Sequence, residues 1–433
     1  MKVLFCSTAT NALGETYSIA VFALELMRKG HECFFLAPTL GKRYLLTFGF
    51  EESSILVLPG SMKEDLSLLK SNKTIFNKFL SYLKLDFVIV ADWHEFKPNG
   101  NSNNNSYSIH WFDKKLRFGT FDHCGFAPDG EKVEIFINGY KNIKHIPSIY
   151  QSYSFVIRPC PPHSNSKDRS DDIYYWSINY KKGSKEKIIR NELKKKVANS
   201  TNRLMFNPIG LWQERAVERI FKRLDIQCDY YSDIFLPIVF KYLSDINEPF
   251  TYVIVSGNIK KEVKTEFKNI SIIMKPPLGN DQFTEHLQAS DFVITDNLMS
   301  SSIAKSIFYN AIPIVFISSL TSDFDKSPVC DFILTDFMKE KINVLVDNNI
   351  LFPFVSFPMG LNEILKMYDN NSYSSCFIKT EMYDENSSAA LFNKLLLGTQ
   401  LKDEIINSQN EYLRKNQFLP DAEEILLQII ENE

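Results

Sequence analysis

The tetrapeptide Phe87-Val88-Ile89-Val90 is apolar at every position, and it runs directly into Ala91-Asp92-Trp93-His94-Glu95. A strand with no polar face has to be covered on both sides, which is the condition of a parallel sheet flanked by helices. The same unit recurs upstream. Residues 3–5 read as a strand, 17–29 as a helix with Ile19, Phe22, Ala23 and Leu26 on one face, and 33–37 as the next strand. A strand at 55–58 and a helix at about 63–83 lead into the 87–90 strand. The alternation restarts at Leu204, with strands expected at 204–207, 252–255, 270–274, 292–295 and 312–317. Helices are expected between them at 213–224, at 237–242, at 283–287 and at 300–308. The fold class is α/β, with two doubly wound, Rossmann-like domains.

Other stretches break the pattern. Residues 97–106 are polar and aperiodic, and read as an exposed loop. Strand-like pieces at 109–112, 133–137, 155–158 and 173–178 crowd together, as a β-rich addition to the first domain would. Residues 181–196 are basic, but Glu186 and Glu192 interleave with Ile188, Ile189 and Leu193, so the segment reads as a solvated amphipathic helix joining the domains. From 385 onward apolar stripes (Leu391, Phe392, Leu395, Leu396; then Ile425, Leu426, Ile429, Ile430) indicate helices. The expected division is 1–182 for the first domain with its β-rich insertion, 183–200 for a linker helix, 201–400 for the second domain and 401–433 for C-terminal helices.

Composition limits the partners. The 433 residues carry 49 Lys+Arg against 52 Asp+Glu, a net charge of −3, which leaves no basic footprint for nucleic acid and no polybasic membrane patch. With 44% hydrophobic residues there is enough to fill two cores, and 35 Phe and 19 Tyr against 16 Gly mean that large rings do the packing. No apolar run approaches the roughly 18 residues of a membrane span, and the first apolar stretch is too short for a signal peptide, so a cytoplasmic protein is expected. Seven cysteines, odd in number and without a Cys-x-x-Cys pair, suit reduced thiols better than disulfides or a zinc site.

Three segments narrow the function. The first is Thr8-Ala9-Thr10-Asn11-Ala12-Leu13-Gly14-Glu15, a turn leading into a helix that ends Arg28-Lys29-Gly30-His31 before the second strand. The second is the strand and small-residue turn Thr251-Tyr252-Val253-Ile254-Val255-Ser256-Gly257-Asn258. The third runs Ala289-Ser290-Asp291-Phe292-Val293-Ile294-Thr295-Asp296-Asn297-Leu298-Met299-Ser300-Ser301-Ser302, then a helix, then Asn310-Ala311-Ile312-Pro313-Ile314-Val315. Together they resemble GT-B glycosyltransferases, through an uncharacterised bacterial branch. The resemblance implies two Rossmann-like domains facing a cleft, the first taking the acceptor and the second a nucleotide-diphosphate sugar. It also implies metal-independent donor binding without a separate cofactor.

On this resemblance the donor diphosphate meets the turn and helix start at Asp296, Asn297, Ser300, Ser301 and Ser302, where backbone N–H groups and hydroxyls converge. A serine-capped helix explains the same residues structurally. Ser256 and Gly257 let the backbone approach a phosphate, Gly210 could do so for donor or acceptor, and Trp212 could stack on the base or anchor the core. Asp323 and Asp325 stand where sugar hydroxyls are held, or form an exposed acidic loop. The chain lacks the family's carboxylate on the helix after the turn, carrying Ala304, Lys305 and Ser306 there, with Lys305 expected at the surface. It also lacks a first-turn histidine.

Sugar transfer needs a base for the acceptor proton. Asp92 and His94 follow a buried strand at its carboxyl end, so His94 could be that base with Asp92 orienting it, or a loop histidine beside a strand-end hydrogen bond. Glu15 is the rival base. Asp122-His123-Cys124-Gly125 reads as a structural turn in preference to a Cys–His nucleophile. The expected activity is glycosyl transfer of hexosyltransferase type to a small-molecule or glycan acceptor. An epimerase or hydrolase of nucleotide sugars, and an inactive scaffold, are the alternatives.

Overall fold

The computed structural model describes residues 1–8, 13–58, 66–95, 111–112, 115–125, 131–137, 140–146, 153–164, 172–178, 186–244, 246–323 and 327–432. The expected loop at 97–106 lies outside them. Residues 1–131, 145–179 and 415–433 form one compact unit, and 132–144 with 180–414 form another.

The first unit holds a parallel sheet of β1 (Lys2–Cys6), β2 (Glu32–Ala37), β3 (Ile55–Val57), β4 (Phe87–Val90), β5 (Arg117–Phe121), β6 (Phe155–Cys160) and β7 (Ile173–Ser177), in the order β3-β2-β1-β4-β5-β6-β7. Helix α1 (Gly14–Arg28) closes on Gly30, whose φ of 87° is a left-handed turn open to glycine, and the chain then enters β2. Helices α2 (Thr39–Leu46) and α3 (Leu66–Tyr82) precede β3 and β4. Aromatic packing is dense: Phe22 of α1 meets Trp176 at 5.0 Å and Phe121 at 5.6 Å between ring centroids, both edge-on.

Two of the strands expected as a β-rich addition, β6 and β7, instead extend the parallel sheet, and β5 connects them to β4. The reason β5 escapes a sequence reading is Gly119. A Cβ there would lie 2.0 Å from Cε2 of Phe155, so the glycine that breaks the pattern is the space the neighbouring ring occupies. The expected strand at 133–137 falls in a two-stranded ribbon of Glu131–Ile137 and Tyr140–Ile146. Of 109–112, Trp111 and Phe112 are described and are not in a strand.

The second unit holds β8 (Arg203–Pro208), β9 (Phe250–Val255), β10 (Val263–Phe267), β11 (Ile270–Lys275), β12 (Phe292–Thr295), β13 (Ile312–Ile317) and β14 (Ile378–Glu381), ordered β10-β11-β9-β8-β12-β13-β14. Only the edge pair β10 and β11 is antiparallel among these pairings. Helix α4 (Glu186–Ala198), expected as a linker, belongs to this unit. Its Arg190 donates to the carbonyl of Gln288 at 3.2 Å, and Lys194 pairs with Asp291 at 2.7 Å. Further helices are α5 (Leu211–Arg223), α6 (Leu236–Leu243), α7 (Asn280–Ala289), α8 (Ser301–Ile307), α9 (Asp336–Asp347), α10 (Glu385–Leu397) and α11 (Gln400–Asn416).

The chain then returns to the first unit as α12 (Ala422–Glu431), opened by a capping box between Asp421 and Glu424. Glu25 of α1 accepts from the Ala422 amide at 3.2 Å and from the Trp176 indole at 3.0 Å. His31 bonds Glu423 at 2.8 Å, while Ile425 and Leu426 are fully buried. All seven cysteines are free thiols. Among the described residues no helix is long and apolar enough to cross a membrane.

Candidate functional site

In the first sheet Cys6 is in register with Val90, and Val90 with Thr120, so β1, β4 and β5 release their chains at one edge. The loops there converge on one carboxylate. Asp92 is only 2% exposed, and its two oxygens are bound by two imidazoles: Nδ1 of His94 at 2.7 Å on Oδ1, and Nδ1 of His123 at 2.8 Å on Oδ2. Burial alone would raise the Asp92 pKa, but the two histidines hold it well below the usual carboxylate range. The His94 side chain is 53% exposed, and no described residue engages its Nε2. Partial desolvation works against its charge, yet the Asp92 carboxylate overrides this and lifts His94 to about 9. The expected pairing of Asp92 with His94 is therefore present, and Glu15 lies near enough to act on both histidines through its charge.

Glu95 adds a second acid. It is 4% exposed; Oε2 accepts the backbone N–H of Thr8, and Oε1 is buried without a partner among the described residues. Burial pushes this carboxyl up to about 7, against the pull of His94 and the Thr8 amide. The Cys124 thiol is also driven up, by burial and by the surrounding carboxylates, which favours its neutral form. Asp122 turns away from the cluster to Arg158, at 3.2 Å, and its carbonyl meets His163 at 2.7 Å.

The second unit gathers its candidates at the corresponding edge of its own sheet. Helix α5 links them. Gln213 donates to Asp296 at 3.0 Å and to the Phe357 carbonyl at 2.7 Å, and Tyr231 donates to the other Asp296 oxygen at 3.2 Å. Burial raises the Asp296 carboxyl to about 7 despite these bonds. Glu214 accepts the Gly257 N–H at 2.7 Å and the Ser256 hydroxyl, so the donors of that turn are directed at a carboxylate of the chain itself. A Cβ on Gly257 would meet Oε2 of Glu214 at 2.7 Å, and one on Gly210 would meet Gln213 equally closely.

Asn297 accepts from Met299 at 3.0 Å and from Ser356 at 2.6 Å. Ser300 caps α8 by accepting the Ser302 N–H at 3.3 Å; Ser302 is buried, whereas Ser301 and Trp212 are partly exposed. Asp323 is exposed and closes its own turn on the Ser327 amide at 2.7 Å, and Asp325 lies outside the described residues. Lys305 is buried rather than at the surface as expected, its ammonium 5.4 Å from the Phe283 ring centre, and burial lowers its pKa to about 7.

Sequence reasoning assigned His123 to a structural turn and passed over Gln213 and Glu214. His123 sits 31 positions from Asp92 in a turn-like tetrapeptide, and only the level ends of β4 and β5 bring the two together. Gln213 and Glu214 stand at the start of an amphipathic helix, where polar residues read as solvated. Among the described residues no three His, Cys, Asp or Glu side chains are placed to hold a metal ion.

Comparison with known proteins places the architecture. A family model described as "Family of unknown function (DUF6365)" matches residues 22–433. No curated protein matches the sequence. Among solved structures, the spinosyn forosaminyltransferase SpnP superimposes with a TM-score of 0.55 at 10% identity, over 100% of this chain and 99% of its own. The spinosyn rhamnosyltransferase SpnG, complexed with spinosyn aglycone, gives 0.53 at 10% identity with both chains fully covered. A UDP-GlcNAc 2-epimerase from Neisseria meningitidis bound to UDP-GlcNAc gives 0.51 at 10% identity, again with both chains fully covered. These likenesses are likenesses of fold, and the fold is GT-B.

Proposed function

The chain belongs to the DUF6365 family, whose function is unknown, and from that premise and its GT-B fold we propose that it is a glycosyltransferase. In this reading the second unit binds a nucleoside-diphosphate sugar, and the first unit takes the proton from an acceptor hydroxyl on a small molecule or glycan, with no metal or separate cofactor. The observation that carries it is the Asp92–His94 pair. A buried carboxylate fixes Nδ1 of a half-exposed imidazole at 2.7 Å, leaving Nε2 available as a base. Asp92 selects the Nδ1–H tautomer and stabilises the imidazolium that forms on proton transfer.

Protonation sets the direction of the pH dependence. The base must be neutral, and Asp92 raises its pKa, so turnover increases as pH rises toward about 9. Asp92→Asn shifts that rise to lower pH and reduces the plateau rate by roughly 10²–10⁴-fold, the usual worth of general base catalysis.

Donor binding is tested first, by thermal denaturation of the full chain against nucleoside diphosphates and their sugar conjugates. A ligand at 100 times its Kd stabilises by about 2.7 kcal/mol, a readily measured rise in Tm. One nucleotide class should give that rise, and no rise with any of them removes the donor site and favours a scaffold. The neighbouring epimerase fold and Glu95, a second titratable acid beside His94, support a second reading in which the site acts on the nucleotide sugar itself. Solvent deuterium entering the sugar without any acceptor would select that reading.

A further inference from the structure

His123 completes a continuous line of hydrogen bonds that base catalysis by His94 alone does not call for. Its Nδ1 is 2.8 Å from Asp92 Oδ2, and its Nε2 is 2.9 Å from the Ser18 hydroxyl of α1. Ser18 in turn reaches the Gly14 carbonyl at 3.4 Å. Every donor in this line has an acceptor when His123 is an imidazolium: Nδ1–H to Asp92, Nε2–H to Ser18, and the serine O–H to Gly14. Ser18 is only 4% exposed and His123 largely covered, so the Ser18–His123–Asp92 row does not present a serine nucleophile to a substrate.

We propose that His123 is a positioning residue of this site: held between Ser18 and the second oxygen of Asp92, it occupies that oxygen and takes up part of the charge that Asp92 would otherwise direct at His94. The proposal rests on the reading of His94 as the base. Two cations share one carboxylate here, so His123 limits how strongly Asp92 stabilises the charged form of His94, and the like charges also oppose each other. The groups facing His123 are Asp92 after β4, Glu15 on α1, Asp122 on its own loop and His163 after β6. Those facing His94 are Asp92, Glu95 and Glu15.

The test is an NMR titration of the ¹⁵N-labelled imidazoles in the full chain, with His94→Asn to assign the signal. In His123→Gln the His94 midpoint rises by about one unit, because Asp92 then serves a single imidazole. Ser18→Ala, which removes only the outer hydrogen bond, moves it in the same direction by less. A folded His123→Gln protein with His94 at or below its wild-type midpoint overturns the assignment. If that variant does not fold, the same outcomes are read from Ser18→Ala. The titration needs neither donor nor acceptor, so its failure and a failure of the transferase reading are separate results.

Discussion

Asp92 and Asp296 are both buried carboxylates at the edge of a sheet, and their surroundings drive them in opposite directions. Two imidazoles keep Asp92 ionised, whereas Asp296 meets the neutral donors of Gln213, its own backbone amide and Tyr231, and burial pushes it up to about 7. The folded state thus holds the Asp296 proton more tightly than the unfolded chain does. Its contribution is fully present below about pH 4 and is lost as pH climbs toward 7. Asp296→Asn keeps both side-chain partners, because the amide oxygen can accept from Gln213 and the amide N–H can donate to the Tyr231 oxygen. The variant should gain on the wild type by up to about 1.4 kcal/mol per pH unit across that window and level off above it. Melting curves taken from pH 4 to 8 check this, and a pH-independent difference would rule it out. The Asp92–His94 pairing was legible in the sequence because both sit on one short loop after an all-apolar strand. His123 was not, since its partner lies on another strand, and neither was the burial of Lys305, whose charge reads as solvated until the Phe283 ring is seen beneath it.

Elements were legible where their burial is uniform. The strands at 87–90, 252–255 and 312–317 carry apolar residues on both faces, and the structure places them inside the two sheets. β5 was hidden because Arg117-Phe118-Gly119-Thr120-Phe121 has a glycine at its centre. That glycine gives a direct prediction: Gly119→Ala drives a methyl group into the Phe155 ring, and overpacking of this kind costs about 1–3 kcal/mol or more. Chemical denaturation should show a lower midpoint with an unchanged slope, and an unaffected midpoint would mean that Phe155 is free to move aside. Helix α12 is tied to α1 by both apolar burial and charge. Leu426→Ala should cost about 2–5 kcal/mol, whereas Glu423→Gln, which loosens solvent-screened bonds to His31 and Lys29, should cost far less. Equal losses in the two variants would show that the surface bonds, and not the apolar face, hold the helix.

At the scale of the molecule, the first unit is not a contiguous stretch of chain, because it needs 415–433 as well as 1–131 and 145–179. A fragment of residues 1–180 leaves the face of α1 that meets α12 uncovered, and should be aggregation-prone. Supplying a peptide of residues 415–433 should restore solubility and cooperative melting. A fragment that melts cooperatively without the peptide would contradict this. The near-neutral charge of the whole chain and its paired β/α alternation were readable from composition and periodicity, but this return crossing was not. An amphipathic terminal helix states that it docks, without stating where.

The return crossing also has a consequence in time. Glu25 and the Ala422 amide it binds are 397 positions apart. At about 5–20 residues per second, synthesis separates the two by on the order of 20–80 s. Once β7 has left the ribosome at residue 177 every strand of the first sheet is made, while the side of α1 that α12 covers stays open to solvent or to a chaperone. The nascent chain therefore spends the later part of its elongation with an unfinished apolar surface, and slowing the ribosome late in the message should lengthen chaperone attachment more than slowing it early.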